Sequence, residues 1–515
     1  MDATFTIHIH TLGCKVNQYD SGALLDLFRR NGFKPYPGSG AIHGAKSSAK
    51  CSALNGASVD ADVCESVDSG TKDPDVVVVN TCIVSAESER KSRQAIRKMR
   101  ATYPSALLAV VGCYPQRFYE QASMIEGVDY IAGISGHIEL VDKITQRLCG
   151  CTQNRSNDKI GDGIYSRICN AEPSSGEKHG ASNLLARDGL RTREYIKIQD
   201  GCDSFCSYCI IPYTRGRARS RSLPDIIKEV SISISRGAPE IVLTGIHISS
   251  YDYQQKIGLG ELIDAVAECM DSSGGKNTAG SGNIFNKTRP RLHLSSLEPT
   301  IVTPGFVRVL SKNRDIICPH FHLSLQSGSE SILRRMNRKY TPSAYTEAVA
   351  MLRAEFPDAA ITTDIIIGFP GESENEFLET LEFCRAAAFY KIHVFPYSKR
   401  PGTRAAELPD QISPQEKQKR VKQLIALSDE LSLAFHEKYI GTAVQILIEN
   451  VSGNCISGLT ANYIKVRAKC ENGDATKKDY ANRGSFAIVH IKDITATHMN
   501  GTQLGSSKPL LYSEH

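Results

Sequence analysis

The sequence lacks any run of 18 apolar residues, and its longest apolar stretches, such as AITTDIIIGF, have the length of a strand. Its first residues, MDATFTIHIHTLGCKVNQ, also lack a charged segment followed by an apolar signal stretch. Sixteen cysteines are spread over 515 residues of ordinary globular composition, which does not fit a small secreted disulfide scaffold. We therefore expect a cytoplasmic protein with no membrane partner and with mostly reduced thiols.

A strong charge excess is also missing, because the net charge is only +5. Such a mild excess permits contact with nucleic acid without demonstrating it. The chain is longer than one hydrophobic core usually organises, so we expect roughly two to four domains.

The N-terminal part alternates Val- and Ile-rich runs, such as DVVVVNTC and ALLAVVGC, with helical patterns. This alternation predicts an α/β domain with a parallel sheet over residues 3–151. Residues 39–72 and 152–187 are rich in Gly, Ser, Ala, Asn and Asp and have weak periodicity. We interpret the first of these segments as a loop insertion and the second as a linker.

Between residues 188 and 420, six further strand candidates alternate with mostly helical segments, and residues 271–283 form another polar, Gly-rich insertion. The series predicts a partial (β/α)6 barrel, with an open doubly wound sheet as the alternative that periodicity does not exclude. A connecting helix is expected at 421–436. Residues 437–505 alternate strand patterns with turn signals, which predicts a small all-β barrel.

The segment GCDSFCSYC places Cys202, Cys206 and Cys209 at C-x3-C-x2-C spacing directly after a strand candidate. A structural zinc site needs four ligands, and no second close cysteine pair lies nearby in the sequence. A redox pair would use only the last two thiols. Three thiolates can instead hold three irons of a [4Fe-4S] cluster and leave the fourth iron open for S-adenosylmethionine.

A second cysteine set lies in the N-terminal domain, where TLGC, VNTC and VVGC end at Cys14, Cys82 and Cys113. Each cysteine follows an apolar strand candidate, and the carboxyl ends of parallel strands share one edge of a sheet, where ligand sites form. Three thiols could therefore converge there. The alternative is that each buried cysteine simply packs as a small apolar side chain.

The first motif, CxxxCxxC after the first strand of a βα barrel, resembles that of the radical S-adenosylmethionine superfamily. LTGI at 243–246 and DIIIGFPGE at 364–372 resemble its second- and fifth-strand segments. The resemblance implies that the three cysteines hold a cluster and that seven residues lie at the S-adenosylmethionine site. These are Tyr208, Thr244, Gly245, Ser324, Gln326, Ile367 and Gly368.

Across nearly the whole chain the pattern is similar to the methylthiotransferases, through TLGCKVNQYDSG, SERKSRQ, GCYPQ and GLTANYIKV, and most resembles the branch acting on N6-threonylcarbamoyladenosine. It implies a second [4Fe-4S] cluster on Cys14, Cys82 and Cys113 and a C-terminal TRAM-like RNA-binding barrel. The implied reaction converts adenosine C2–H to C2–S–CH3 at position 37 of tRNA. The alternatives are isopentenyladenosine in tRNA, a ribosomal-protein aspartate, or a non-catalytic iron–sulfur RNA-binding protein.

The expected partner is the tRNA anticodon stem-loop, together with an electron donor of unknown identity, and we expect a monomer. Phosphate or base contacts are expected from basic and aromatic residues in two segments, namely Arg215, Arg217, Arg219, Tyr463, Lys465 and Arg467. Arg217 and Arg400 are candidate partners for the carboxylate of the threonylcarbamoyl group. No general acid or base is nominated, and four histidines are interpreted as packing or hydrogen-bonding residues: His247, His293, His320 and His322.

Overall fold

The computed structural model describes residues 5–36, 42–44, 73–150, 192–274, 289–470 and 482–507. The chain divides into two compact units, the first formed by residues 1–190 and 210–216 and the second by residues 191–209 and 217–515. The expected linker at 152–187, and most of the expected insertions at 39–72 and 271–283, lie outside the described residues.

The first unit is built on a parallel sheet with the strand order β2-β1-β4-β5-β6, and β3 also pairs with β1. Its strands are β1 Thr6–Thr11, β2 Lys34–Pro35, β3 Ile42–Gly44, β4 Val76–Thr81, β5 Leu107–Gly112 and β6 Tyr130–Ile131. Its helices are Lys15–Arg30, Ala86–Thr102, Cys113–Arg117, Tyr119–Ser123, His137–Leu148 and Ile211–Arg215. Every residue of β4 is buried, as its continuous apolar sequence predicts for a parallel strand covered on both faces.

The second unit contains six parallel strands that form the predicted partial barrel, in two sheets ordered β12-β9-β7-β8 and β13-β14-β15. Parallel bridges from Leu292 to Ile317 and from Leu297 to Leu323 join the two sheets. The strands are β7 Glu194–Asp200, β8 Arg219–Ser220, β9 Glu240–Gly245, β10 Asp252–Tyr253, β11 Ile257–Gly258, β12 Arg291–Leu294, β13 His320–His322, β14 Ala360–Ile367 and β15 Lys391–Pro396. Of these, β8 pairs antiparallel with β7, and β10 and β11 form a separate antiparallel pair.

Helices alternate with these strands, as expected for right-handed βα connections. They are Leu223–Ser235, Leu259–Gly274, Pro304–Lys312, Glu330–Arg335, Pro342–Glu355, Glu374–Ala387, Arg404–Glu407 and Pro414–Glu437. The last of them is the expected connecting helix, and it begins seven residues before the predicted start at 421 because Ser413 caps it through the amide of Glu416. Among the described residues, no helix combines the length and the apolar composition needed to cross a bilayer.

The chain ends in a closed barrel of five strands, β16-β17-β18-β20-β19, which confirms the predicted all-β module. The strands are β16 Ala443–Ser452, β17 Cys455–Leu459, β18 Lys465–Cys470, β19 Phe486–Ile494 and β20 Met499–Ser507. Along β18, Val466 and Ala468 point into the barrel core while Arg467 faces outward. The alternation of apolar and basic residues in this strand therefore has the predicted structural cause.

Tyr463, which the sequence suggested as a ring for stacking on RNA bases, is used inside the second unit instead. Its ring stacks on His293 and His320 with centroids 4.0 and 4.8 Å apart. Its hydroxyl donates to the buried Glu240, which also pairs with Arg193 at 2.7 Å. The residue joins the small barrel to the βα barrel, so we withdraw it as an RNA contact.

We expect Tyr463→Ala to lower the free energy of unfolding by about 3–5 kcal/mol, because it empties the space beside two imidazole rings. Tyr463→Phe should cost about 1–3 kcal/mol, because Glu240 stays buried with one donor fewer. Urea denaturation followed by circular dichroism would measure both. Leu504→Ala is the control, since that side chain is exposed on β20; equal stability of Tyr463→Ala and this control would contradict the assignment.

Candidate metal centres and active site

The loop of residues 201–209 carries the three-cysteine motif, and backbone contacts within the second unit hold it in place. Ser207 donates its amide to the carbonyl of Met336 at 3.0 Å and its hydroxyl to the carbonyl of Arg335 at 2.9 Å. The side-chain amide of Asn337 donates to the carbonyls of Ser204 and Phe205. Phe205 has a φ of 43°, a left-handed conformation that costs a non-glycine residue free energy and is kept by these surrounding bonds.

A chain of polar side chains connects the first two cysteines of the loop. Cys202 Sγ lies 3.9 Å from His247 Nδ1, and His247 Nε2 lies 2.9 Å from a carboxylate oxygen of Glu298. The other carboxylate oxygen of Glu298 is 3.0 Å from Arg338, which donates to Cys206 Sγ at 3.2 Å. Both sulfur atoms therefore lie beside hydrogen-bond donors of charged or polar side chains.

The electrostatics of this chain agree with that arrangement. Burial disfavours ionisation of Cys202, but hydrogen bonds from His247 and Ser204 outweigh it and lower the pKa of the thiol. Burial likewise opposes the charge of His247, but its bonds to Cys202 and Glu298 raise the pKa of the imidazole to about 9. Sequence reasoning assigned His247 only to packing or hydrogen bonding and did not single out Glu298 or Arg338. The available signal was Glu298 in SSLEP, a carboxylate just beyond a barrel strand.

The residues expected at the S-adenosylmethionine site all lie in the second unit. Thr244 and Gly245 end β9, and a Cβ on Gly245 would lie 2.9 Å from the carbonyl oxygen of Gln199. Ile367 ends β14 in the core, and the amide of Gly368 donates to the carboxylate of Glu372 at 2.7 Å. These four residues thus share the carboxyl ends of barrel strands, where ligand sites form.

Of the other three expected cofactor residues, two follow a barrel strand and one lies between two of the cysteines. Ser324 and Gln326 follow β13, and Gln326 has a φ of 75° while its amide donates to the carbonyl of Asp364. Such a left-handed glutamine is a sign of a constrained functional position. Tyr208, between two cysteines, packs on a cluster that includes Met336 and Phe369.

In the first unit, the three cysteines that follow β1, β4 and β5 come together at one edge of the sheet. Cys82 is so close to the loop of Cys14 that a Cβ on Gly13 would lie 2.7 Å from Cys82 Cβ. Asn17 ties the loops by donating to the carbonyls of Leu12 at 2.9 Å and Thr81 at 2.8 Å. The convergence that the sequence allowed is therefore present in the structure.

The three thiols are close enough to affect one another. Burial, together with the like charges of the neighbouring Cys113 and Cys14, raises the pKa of Cys82 to about 12. A group of thiols that repel one another as thiolates gains stability from a bound cation, since metal ligation requires and stabilises the deprotonated form. The donor set thus fits an iron–sulfur cluster, and simple core packing does not explain the exposure of Cys14.

Arg215, expected at an RNA surface, is instead buried in the first unit with 1% of its surface exposed. It donates to Asn17 Oδ1 at 2.8 Å and lies 3.4 Å from Asp20, and its charge favours the thiolate of Cys82. We therefore withdraw Arg215 as an RNA contact. Arg217, by contrast, is 75% exposed and pairs with Asp203 at 2.9 Å.

Comparisons with known proteins show the family to which the chain belongs. Residues 196–384 match the family model of the radical SAM superfamily, and residues 49–133 match that of uncharacterized protein family UPF0004. A threonylcarbamoyladenosine tRNA methylthiotransferase, MtaB, of Bacillus subtilis is 34% identical, with 90% of each chain covered. The chain belongs to the radical SAM tRNA methylthiotransferases. This confirms the resemblance on which the sequence interpretation rests.

Other relatives of the methylthiotransferase are named for one or the other of two substrates. MtaB of Aquifex aeolicus is 30% identical over 90% of this chain and 96% of its own. A tRNA-2-methylthio-N(6)-dimethylallyladenosine synthase of Desulfotalea psychrophila is 29% identical over 94% of this chain and 95% of its own. Among solved structures, the radical S-adenosylmethionine methyltransferase TsrM of Kitasatospora setae superimposes with a TM-score of 0.51 at 14% identity, covering 87% of this chain and 79% of its own. That likeness shows the fold alone.

In the metal-free methylthiotransferase, we expect Cys202 to be alkylated faster than Cys82 at neutral pH. The pKa of Cys202 is lowered, whereas the pKa of Cys82 is raised to about 12, so the first thiol has the larger thiolate fraction. His247→Ala should slow the alkylation of Cys202, and His247→Gln, which keeps a donor, should slow it less. Mass spectrometry after iodoacetamide treatment over a pH series would measure the rates; unchanged rates in His247→Ala would refute the hydrogen-bond assignment.

Proposed function

We propose that this methylthiotransferase converts N6-threonylcarbamoyladenosine at position 37 of tRNA to its 2-methylthio derivative, using two [4Fe-4S] clusters. The observation that carries the proposal is the presence of two separate three-cysteine centres, one in each compact unit. Each centre offers three thiols, which leaves one iron of a cubane cluster without a protein ligand. The substrate branch is supported by the name of the Bacillus subtilis relative.

In this proposal, Cys202, Cys206 and Cys209 hold the cluster that, when bound, supplies the electron for cleaving S-adenosylmethionine. Cys14, Cys82 and Cys113 hold the second cluster, where the sulfur to be transferred would be carried. A second S-adenosylmethionine supplies the methyl group. The protein's contribution is to bind and orient these groups and to exclude competing reactions.

Positively charged residues lie beside the cysteines of each centre. Arg338 and His247 place positive groups beside the cysteines of the second unit, with Glu298 between them. Arg215 places a buried positive charge beside the cysteines of the first unit. Because removal of one partner leaves a buried charge uncompensated, these residues should help to hold the cysteine loops in position.

For RNA contact we retain four residues, and two of them carry the argument. Lys465 and Arg467 lie on the strand β18. Burial lowers the pKa of His498, and the positive charges of Arg467 and Lys465 lower it as well. A positive surface on a small β-barrel fits the phosphates of a single-stranded loop. Arg217 and Arg219 in the second unit are the other two. We also propose a monomer in the cytoplasm, where its tRNA substrate is found, with an electron donor still to be identified.

Isopentenyladenosine is the second candidate substrate, favoured by the name of the Desulfotalea psychrophila relative. Mass analysis of tRNA nucleosides from a strain deleted for this chain would decide between the two. We expect loss of 2-methylthio-N6-threonylcarbamoyladenosine, with recovery when the wild-type chain is returned. Loss of the isopentenyl analogue in its place would refute the proposed substrate.

The two cysteine centres should fail in different ways after anaerobic reconstitution. Cys202→Ala should abolish formation of 5'-deoxyadenosine from S-adenosylmethionine together with all methylthiolation. Cys82→Ala should keep 5'-deoxyadenosine formation and lose the methylthio product, because only the second centre would be removed. Iron content should fall from about eight to about four per chain in each variant. The surface variant Cys455→Ala is the control, since Cys455 is exposed on β17; loss of 5'-deoxyadenosine in Cys82→Ala would contradict this division of roles.

A further inference from the structure

The interior of the βα barrel contains a polar group that no step above uses. His322, Asp364 and His393 stand on the adjacent strands β13, β14 and β15, and one ligand atom of each lies within 4.8 Å of the other two. Asp364 lies directly opposite His393 in the parallel ladder. These three polar side chains of one sheet together offer hydrogen-bond donors and acceptors to a polar ligand.

Within this group, His322 serves to orient Asp364. One ring nitrogen, Nδ1, lies 3.0 Å from the hydroxyl oxygen of Thr362, and the other, Nε2, lies 3.2 Å from Asp364 Oδ2. Because a carboxylate can only accept, the hydrogen on Nε2 must point at Asp364. His322 is therefore fully used within the barrel, and Asp364 is fixed in one direction.

Asp364 is ionised and accessible. Burial opposes its charge, but His322 and His393 outweigh this effect and lower the pKa of the carboxyl. Its side chain remains 30% exposed, and His393 is accessible from the same side. The barrel interior thus presents a hydrogen-bond acceptor and an imidazole side by side.

An apolar surface lies next to His322, Asp364 and His393, on the side of the carboxyl ends of the strands. Ile366 and Phe395 lie two residues beyond Asp364 and His393 and so on the same faces of β14 and β15. Phe395 is 38% exposed, although an aromatic ring inside a barrel would normally be covered. The surface therefore has an apolar part near the strand ends and a polar part deeper in the barrel.

We propose that this surface binds the modified nucleoside, with Asp364 and His393 recognising the N6-threonylcarbamoyl group. The inference rests on the proposed function and names the residues that select its substrate. Asp364 would accept from the urea N–H and hydroxyl groups of the substituent, and His393 would donate to its carboxylate. Phe395 and Ile366 would contact the adenine ring, which keeps the base near the strand ends.

The same arrangement rejects an isopentenyl group. That substituent has no oxygen and no hydroxyl, so its entry would strip water from Asp364 and His393 without replacing the lost hydrogen bonds. Sites built to hydrogen-bond a substrate group discriminate against analogues that lack it by as much as about 10^4-fold, far more than apolar pockets achieve. Selectivity in this enzyme would therefore come from the polar part of the surface.

The test compares two synthetic anticodon stem-loops, one with N6-threonylcarbamoyladenosine and one with isopentenyladenosine at position 37, on the reconstituted full chain. We expect His393→Phe and Asp364→Asn to raise the Kd of the first stem-loop about tenfold or more, as loss of a charged hydrogen bond does. The Kd of the second stem-loop should not rise and should fall in His393→Phe, since the isopentenyl group makes no such bond and no longer strips water from an imidazole. Glu347→Gln, on the exposed face of the helix Pro342–Glu355, is the matched control.

Two further readouts separate the possible failures. The circular dichroism spectrum and the iron content should be the same in all variants, which shows that they fold and load their clusters. A parallel loss of affinity for both stem-loops, or no loss for either, would overturn the inference. So would a tightly held zinc or manganese ion that disappears in His393→Phe. If the wild-type chain methylthiolates only isopentenyladenosine, the proposed function itself fails, whatever the variants do.

Discussion

The carboxylate of Glu298 is the point through which the cysteine loop of the barrel is held together. It accepts from His247 on one side and pairs with Arg338 on the other, and these two residues reach Cys202 and Cys206. His247 and Arg338 are brought to the loop from different βα segments, so the loop geometry depends on closure of the barrel. Burial makes each of these charges costly alone, and only the complete chain of contacts offsets that cost.

Parallel strands explain why both cysteine centres could be located from the sequence. In each unit, the polar or thiol residue that follows an apolar run ends up at the carboxyl edge of a sheet, whatever the loops do. Successive cysteines among Cys14, Cys82 and Cys113 are about 30 to 70 residues apart, because parallel strands need a crossover of a dozen or more residues between them. Neighbouring strands nevertheless bring the three cysteines together. The order of strands, β1 beside β4 beside β5, is what the sequence alone could not supply.

The errors have a shared physical cause. Arg215 and Tyr463 both stand in motifs with basic neighbours, and the local pattern predicts that such residues face water. Whether a long polar side chain is buried depends on a partner distant in the chain: Asn17 and Asp20 for Arg215, and Glu240 for Tyr463. A periodic pattern predicts which face of a helix or strand is exposed to solvent. It does not predict that a single residue is buried because it pairs with a carboxylate distant in the chain. Arg217 and Arg467, which find no such buried carboxylate among the contacts described above, keep the exposure that the pattern predicts.

The polarity of the barrel interior bears on substrate choice in a way that the motifs do not. Motifs such as CxxxCxxC fix the cofactor chemistry and are compatible with either modified adenosine. His322 and His393 lie outside those motifs, whereas Asp364 is the first residue of the segment DIIIGFPGE. An ionised Asp364 held by two imidazoles would be a persistent cost for an enzyme whose substrate ends in a hydrocarbon. The same group would be an advantage for a substrate that carries N–H, hydroxyl and carboxylate groups, which is the basis of the proposed selectivity for the threonylcarbamoyl group.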